Sequence, residues 1–301
     1  MSTSSKNEIT EVTAIVRARA FVRKAGIDRV PVDLEKYAQA VNAEVRFSSR
    51  LKPGEAGSTM CVNGRHIITV NAADRPERQR FTVLHEIAHV ELDLPSRHGD
   101  TLDADMLFSY AKRPPEELLC DVFASECLVP HEFLVRDLKV AEPGFPFVEQ
   151  IAERYQASLS CTVSRVVVNS VVPCASVLSQ GGYIRFVAYS ASMRERRFWI
   201  TPRIAIPAGS VTLQSVSVGR SAGPSQVPAY IWTSQDVLSD LELTEDVRLL
   251  PAWDQALTLL WFEDAELPRN RQDPSKVEAD EDVLLEELDG TLSWPAKRGR
   301  R

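Results

Sequence analysis

The sequence predicts an α+β fold in which a mixed helical and β region precedes a β-rich region. Apolar residues recur with helical spacing in residues 7–25 and 81–92. Asn63-Gly64 separates two β-rich runs, which is typical of a β-hairpin. Short β-rich runs dominate residues 172–268. A chain of 301 residues is long enough for two domains, so we expect two domains joined by a small helical module.

The composition disfavours several classes of protein. The formal net charge of −7 argues against nucleic-acid binding over the whole surface, although a local basic face is compatible with it. The 5 cysteines include no Cys-x-x-Cys pair, so we expect no disulfide framework and a reducing compartment. The first residues lack the apolar core of a signal peptide, and no run of about 18 apolar residues occurs. We therefore expect a soluble, cytoplasmic protein.

The first predicted elements are two helices and a strand. An apolar stripe predicts a helix over residues 7–25, which Gly26 can end. Pro31 suits the start of a second helix, over residues 32–41. Alternating side chains then predict a strand over residues 44–48.

The predicted hairpin pairs residues 58–62 with residues 65–70. Asn63 and Gly64 suit its turn because both central residues of a type I′ turn need a positive φ. A strand beside a cleft can also bind an extended peptide along its edge, and a purely structural hairpin is the alternative.

The central motif is His-Glu-x-x-His, in the stretch of residues 81–92. This stretch is predicted to be helical, and Asp74 is the expected N-cap of the helix that contains it. Residues four apart share one face of a helix, so His85 and His89 point the same way. Two such imidazoles can hold one Zn²⁺, and Glu86 can serve as general base toward a water that the metal activates. The alternative is a solvent-facing helix whose histidines bind nothing.

A second helix, over residues 116–129, follows Pro115 and stops before Pro130. A catalytic zinc site takes three protein ligands and leaves one position open. Glu117 and Asp121 are four residues apart, so one can bind the metal while the other holds a ligand histidine by its free N–H. The alternative places both carboxylates in a solvated first turn, which the helix dipole favours.

Residues 93–115 are polar and show no strong period, which indicates a loop or a short helix near the mouth of the cleft. His98 and Tyr110 lie in this stretch. Each is a candidate donor to an oxyanion, and a surface position without a catalytic role is the alternative.

Residues 147–169 predict a helix, a tight turn and a second helix. DNA contact is one hypothesis for this unit. However, Arg165 is the only cation of the second helix, which is little for phosphate neutralisation. A scaffold or a docking surface for a protein is therefore the favoured interpretation.

The β-rich region predicts a small α+β module that starts with a hairpin around Gly181-Gly182. Its further β-rich runs are residues 197–200, 211–218, 229–232 and 257–262. Residues 269–301 are polar and highly charged, so we expect a largely disordered tail.

The two central helices resemble a known family. The matching residues are His85-Glu86-Ile87-Ala88-His89, then Glu117, Asp121, Phe123, Ala124 and Leu128-Val129-Pro130. This pattern is similar to that of the ImmA/IrrE-type metallopeptidases, and the resemblance covers residues 30–131. It implies that His85, His89 and Glu117 bind the metal, that Glu86 is the catalytic glutamate and that Asp121 supports a ligand histidine.

The resemblance also implies a domain plan and a function. The domains would be a zincin-like metallopeptidase domain over residues 1–143, a helix-turn-helix-like module over 144–170, a GAF-like sensor or interaction domain over 171–268 and the tail. The function would be a metal-dependent endopeptidase, with Zn²⁺ or alternatively Mn²⁺, that cleaves a helix-turn-helix (XRE-type) repressor. Cleavage would derepress stress-response, phage or mobile-element genes.

Two other hypotheses remain open from the sequence. One is a non-catalytic regulator that binds a protein through its C-terminal half and has a structural or vestigial metal site. A closed tetrahedral site would need a fourth protein ligand, such as His98 or His131. The other is a DNA-binding transcription factor, whose affinity would fall steeply with salt.

Overall fold

The structure is a computed structural model that describes residues 9–51, 54–95, 114–140, 143–234 and 241–263. Among these residues, no helix is both long and apolar enough to cross a membrane. The predicted tail, residues 269–301, lies outside the described residues.

The first half of the chain confirms the predicted alternation of helices and strands. The elements are α1 (Glu11–Lys24), α2 (Leu34–Ala40), β1 (Ala43–Ser48), β2 (Gly57–Val62), β3 (Arg65–Asn71), α3 (Pro76–Leu92), α4 (Pro115–Leu128) and α5 (His131–Asp137). The three strands form a sheet in the order β1-β3-β2, with β1 parallel and β2 antiparallel to β3. Asn63 and Gly64 have φ values of 52° and 76°, as the type I′ turn requires.

A buried aromatic cluster joins α1, α2 and α4. Phe21 stacks on Tyr37 with the ring centroids 5.4 Å apart, and it lies 5.6 Å from Phe123. The Tyr37 hydroxyl donates a hydrogen bond of 3.0 Å to the Cys127 carbonyl. Because its polar end is satisfied, Tyr37 can be fully buried and hold α2 against α4.

Two further helices, α6 (Phe145–Tyr155) and α7 (Leu159–Asn169), confirm the predicted helix, tight turn and second helix. Arg165 in α7 is only 6% exposed. Its Nη1 lies 2.8 Å from Glu126 Oε2, and its Nε and Nη2 donate to the Val129 carbonyl. Arg165 therefore holds α7 against α4, and its side chain is not available for a contact with DNA.

Replacing Arg165 by Ala is expected to lower the free energy of unfolding by about 3–5 kcal/mol, because it removes the buried cation that pairs with the buried carboxylate of Glu126. Among the residues that the structure describes, Glu126 would retain only the partly exposed Arg19, at 3.3 Å, as a cation. Arg154→Ala is the matched control, because Arg154 pairs with Asp137 while 57% exposed, and its loss should cost less than about 1 kcal/mol. Equal losses in urea unfolding of the two variants would contradict this assignment.

The second half of the chain forms a five-stranded antiparallel sheet in the order β5-β4-β8-β7-β6. Its elements are β4 (Cys174–Gln180), β5 (Tyr183–Tyr189), α8 (Ala191–Glu195), α9 (Val211–Val218), β6 (Ala222–Pro228), β7 (Glu242–Leu250) and β8 (Gln255–Trp261). The predicted α+β class and the hairpin around Gly181-Gly182 are confirmed.

Three of the predicted β-rich runs are not strands. Residues 211–218 form α9, residues 229–231 form a 3₁₀ turn, and residues 197–200 are irregular. The strands β6 and β7 were not predicted. The strand β7 was missed because two acidic residues in its middle, Glu245 and Asp246, interrupt the apolar pattern, although both are fully buried.

A buried carboxylate explains why a valine-rich run becomes the helix α9. Glu245 Oε1 accepts hydrogen bonds from the backbone N–H and the hydroxyl of Thr212, both at 2.6 Å. Ser210 caps the same turn by accepting from the Leu213 N–H. These acceptors satisfy N–H groups that a helix start leaves open, and Glu245 is 33 residues away in sequence. A tertiary contact therefore overrides the local β preference.

The division at residues 143, 170 and 268 stays a prediction. Two hydrogen bonds join the helical module, residues 144–170, to the C-terminal sheet across the boundary at residue 170. Asp246 Oδ2 accepts from the Phe145 N–H at 2.9 Å, and Arg248 Nε donates to Glu149 at 2.7 Å. We therefore expect α6 and β7 to unfold together.

Candidate metal centre

Helix α3 places the two motif histidines together. Its first residue is Pro76 and its N-cap is Arg75, not the predicted Asp74. The residue before a proline is restricted to extended backbone, so Arg75 cannot be part of the helix. The Nε2 atoms of His85 and His89 face each other at 3.2 Å. The opposite side of the helix is buried, so the histidines are held by a helix that is packed in the core. Its fully buried residues are Val83, Leu84, Ile87 and Ala88.

Helix α4 brings Glu117 to both histidines. Glu117 Oε2 lies 3.1 Å from His85 Nε2, and Oε1 lies 3.5 Å from His89 Nε2. Pro115 is the first residue of α4, so Glu117 stands in the first turn, near the positive end of the helix dipole. The buried face of α4 holds this turn against α3. It includes Cys120, Phe123, Ala124 and Cys127.

The three side chains fit a divalent metal such as zinc. One ligand atom from each of His85, His89 and Glu117 can be chosen so that all lie within 4.8 Å of one another. Metal–nitrogen bonds of 2.0–2.1 Å at a tetrahedral angle separate two nitrogens by about 3.3 Å. The observed separation of 3.2 Å between the Nε2 atoms matches this value. Two imidazoles and one carboxylate are also the donor set of many catalytic zinc sites.

Asp121 fixes the orientation of His85. Its Oδ1 lies 2.9 Å from His85 Nδ1, on the side of the ring away from the other ligand candidates. Nε2 is therefore the atom that His85 can offer to a metal. A carboxylate that accepts the second N–H of a ligand histidine is a common way to hold the ring in place.

The two carboxylates also control the charge of His85 when no metal is bound. Burial of the ring lowers its pKa, but the hydrogen bonds to Asp121 and Glu117 outweigh this effect and raise the pKa of His85 to about 10. A divalent cation held by His85, His89 and Glu117 would supply the positive charge that these carboxylates attract, and would take the place of the proton on His85 Nε2.

Glu86 is buried beside this cluster, with 2% of its surface exposed. Its Oε2 accepts a hydrogen bond of 2.7 Å from the hydroxyl of Thr59, in the edge strand β2. The sequence analysis did not identify Thr59, because no motif marks it and it lies 27 residues before Glu86. Alternation along a predicted edge strand was the only available signal.

Of the other candidate residues, only His131 lies in the part of the chain that the structure describes. His98 and Tyr110 lie outside the described residues. His131, considered above as a fourth ligand, has its Nδ1 2.5 Å from Asn169 Oδ1 and is not part of the described metal-ligand group.

The part of the chain that carries this cluster matches a family model. Residues 34–166 match the peptidase M78 model, described as the IrrE N-terminal-like domain. This segment is therefore similar to the ImmA/IrrE family. The IrrE-like domain thus includes α3 and α4, and the predicted resemblance is confirmed.

Two relatives of the IrrE-like domain carry the name radiation response metalloprotease IrrE. The one from Deinococcus radiodurans is 32% identical over 112 residues, which are 36% of this chain and 33% of the relative. The one from Deinococcus deserti is 43% identical over 77 residues, which are 24% of this chain and 25% of the relative. The chain therefore spans a third or less of the length of these relatives.

A solved structure shows a similar fold over a longer stretch. It is a Mycobacterium tuberculosis transcriptional regulator that is 13% identical to this chain, with a TM-score of 0.54. The likeness covers 82% of this chain and 87% of the other, so the similarity extends beyond the IrrE-like domain.

Proposed function

We propose that the protein is a metal-dependent endopeptidase, with Zn²⁺ as the metal and Mn²⁺ as the alternative. The observation that carries this proposal is the convergence of His85, His89 and Glu117 beside the buried Glu86. The relatives named metalloprotease support the same activity for the IrrE-like domain.

Each residue has a distinct role in the proposed reaction. His85, His89 and Glu117 would hold the metal, and Asp121 would keep His85 Nε2 turned toward it. The bound metal would supply a Lewis acid that polarises the scissile carbonyl and lowers the pKa of water. Glu86 accepts the proton of the attacking water and then transfers it to the leaving amine.

The proposed substrate is a helix-turn-helix repressor of the XRE type, as in the family that the motifs resemble. Strand β2 lies at the edge of the described three-stranded sheet. We expect an extended segment of the substrate to pair with this edge, beside Glu86. Cleavage in the cytoplasm would derepress stress-response, phage or mobile-element genes, and the C-terminal sheet would serve as a GAF-like sensor or interaction domain.

The competing proposal is a non-catalytic regulator whose metal site is closed by four protein ligands. Among the described residues, the ligand group has three members and His131 is bonded elsewhere. Within the described part of the chain, the geometry therefore favours an open site over a closed one.

The proposed function is tested by mapping new protein N-termini in its native host. Cells that express the wild-type protein are compared with cells that express Glu86→Gln, with Zn²⁺ and Mn²⁺ supplied. We expect new N-termini within a helix-turn-helix repressor only with the wild-type protein. Purified repressor should then be cleaved in a reaction that a chelator stops and added Zn²⁺ or Mn²⁺ restores. Identical sets of N-termini in the two strains would contradict peptidase activity.

A further inference from the structure

Two residues of strand β2, Gly57 and Thr59, lie beside the side chain of Glu86. Gly57 and Thr59 are two residues apart, so they share the face of the strand that meets α3. Their partners on β3, Val70 and Ile68, are fully buried on the same face. The strand is therefore seated directly on the helix that carries the central motif.

Gly57 makes this close approach feasible. A Cβ atom at position 57 would lie 2.5 Å from Thr82 Cγ2 and 3.4 Å from Glu86 Cγ. The first distance is far below van der Waals contact, so any larger residue would push β2 away from α3. The missing side chain at Gly57 thus brings Thr59 within reach of the Glu86 carboxylate.

Thr59 holds that carboxylate with a short hydrogen bond. Its hydroxyl donates to Glu86 Oε2 at 2.7 Å, in a partly buried environment. A short hydrogen bond to a carboxylate is stronger than one between neutral groups. The terminal torsion of a glutamate, χ3, has broad minima, so a hydrogen bond to one oxygen narrows the range of orientations that the carboxylate adopts.

We propose that Thr59 is a positioning residue for Glu86, an inference that rests on the proposed peptidase function. The hydroxyl fixes the rotation of the carboxylate, so that Glu86 meets the attacking water in one orientation. In this role the Thr59 hydroxyl binds Glu86, not the substrate or the metal. Its loss should slow proton transfer without weakening binding of the substrate or of the metal.

The test combines kinetics with crystallography on the metal-loaded full chain. The kinetic probe is a fluorogenic peptide that spans the cleavage site found by N-terminal mapping. Thr59→Val removes the hydroxyl at nearly constant shape, and we expect kcat to fall about 10- to 100-fold with KM changed less than about twofold. Thr59→Ser keeps the hydroxyl and should retain kcat within about threefold. Crystal structures should show one Glu86 conformer in the wild type and a rotated or multiple conformer in Thr59→Val.

Matched controls separate positioning from a structural effect. Thr69→Val makes the same change on β3, on the other face of the sheet, and should leave kcat and the Glu86 conformer unchanged. Metal content should equal that of the wild type in all three variants. An unmoved Glu86 carboxylate in Thr59→Val, or a kcat equal to that of the wild type, would overturn the proposal. If the wild type cleaves no peptide, the proposed function fails while the crystal structures still decide whether Thr59 positions Glu86.

Discussion

Replacing Glu86 by Gln is expected to reduce peptide cleavage by about 10²–10⁴-fold while the metal stays bound, because an amide cannot accept the proton of the attacking water. Glutamine keeps the size of the side chain and an oxygen that can accept the hydrogen bond from Thr59. The variant should therefore fold normally. The measurements are kcat/KM for the mapped cleavage site and the metal content by elemental analysis.

The matched control for this prediction is Glu91→Gln on the same helix. Glu91 pairs with the exposed Lys24 at 3.0 Å and lies apart from the metal-ligand cluster. We expect its kcat/KM to match that of the wild type. Unchanged turnover in Glu86→Gln would rule out Glu86 as the general base. Loss of the metal from Glu86→Gln would itself explain a loss of activity, so turnover and metal content are measured on the same sample.

Replacing His89 by Ala is expected to abolish stoichiometric metal binding, because only one imidazole and one carboxylate of the cluster remain. The wild-type protein should contain about one metal ion per chain. Its thermal midpoint should fall by roughly 5–10 °C on chelation if free metal stands near 100 times the dissociation constant. His89→Ala should show little metal and no response to a chelator.

His66→Ala is the control for this measurement, since His66 lies in β3 and is not part of the metal-ligand group. It should retain the metal and the chelator response of the wild type. A wild-type protein without metal, even after dialysis against Zn²⁺ and Mn²⁺, would refute the metal centre. The hypothesis of a non-catalytic regulator would then be favoured over that of a peptidase.

Much of the cluster was predictable because its parts are local in sequence. His85 and His89 share a face through the period of the helix alone, and the same holds for Glu117 and Asp121. Periodicity alone does not show that the two helices meet. The resemblance to a family implied this contact, and the structure brings the side chains of His85, His89 and Glu117 together. Asp121 is a similar case, because only the folded chain decides that it faces His85 Nδ1.

The sequence left the outcome open, or predicted the wrong one, where a distant residue decided it. Arg165 is the only cation of the second helix of the helical module, and its guanidinium is buried against Glu126. Residues 211–218 have the composition of a strand, yet Glu245 satisfies the first turn of a helix. Neither partner lies within the window over which local preference acts.

By itself, the sequence determined the elements around the site: the Asn-Gly hairpin, the His-Glu-x-x-His helix and the carboxylate helix that follows. Their turns and periods depend on neighbours only a few residues apart. Only the tertiary structure decided that Gly57 lets β2 approach α3, that Thr59 reaches Glu86, and that Arg165 belongs to the core. These contacts join residues 25 or more positions apart, where packing and charge burial outweigh local backbone preference.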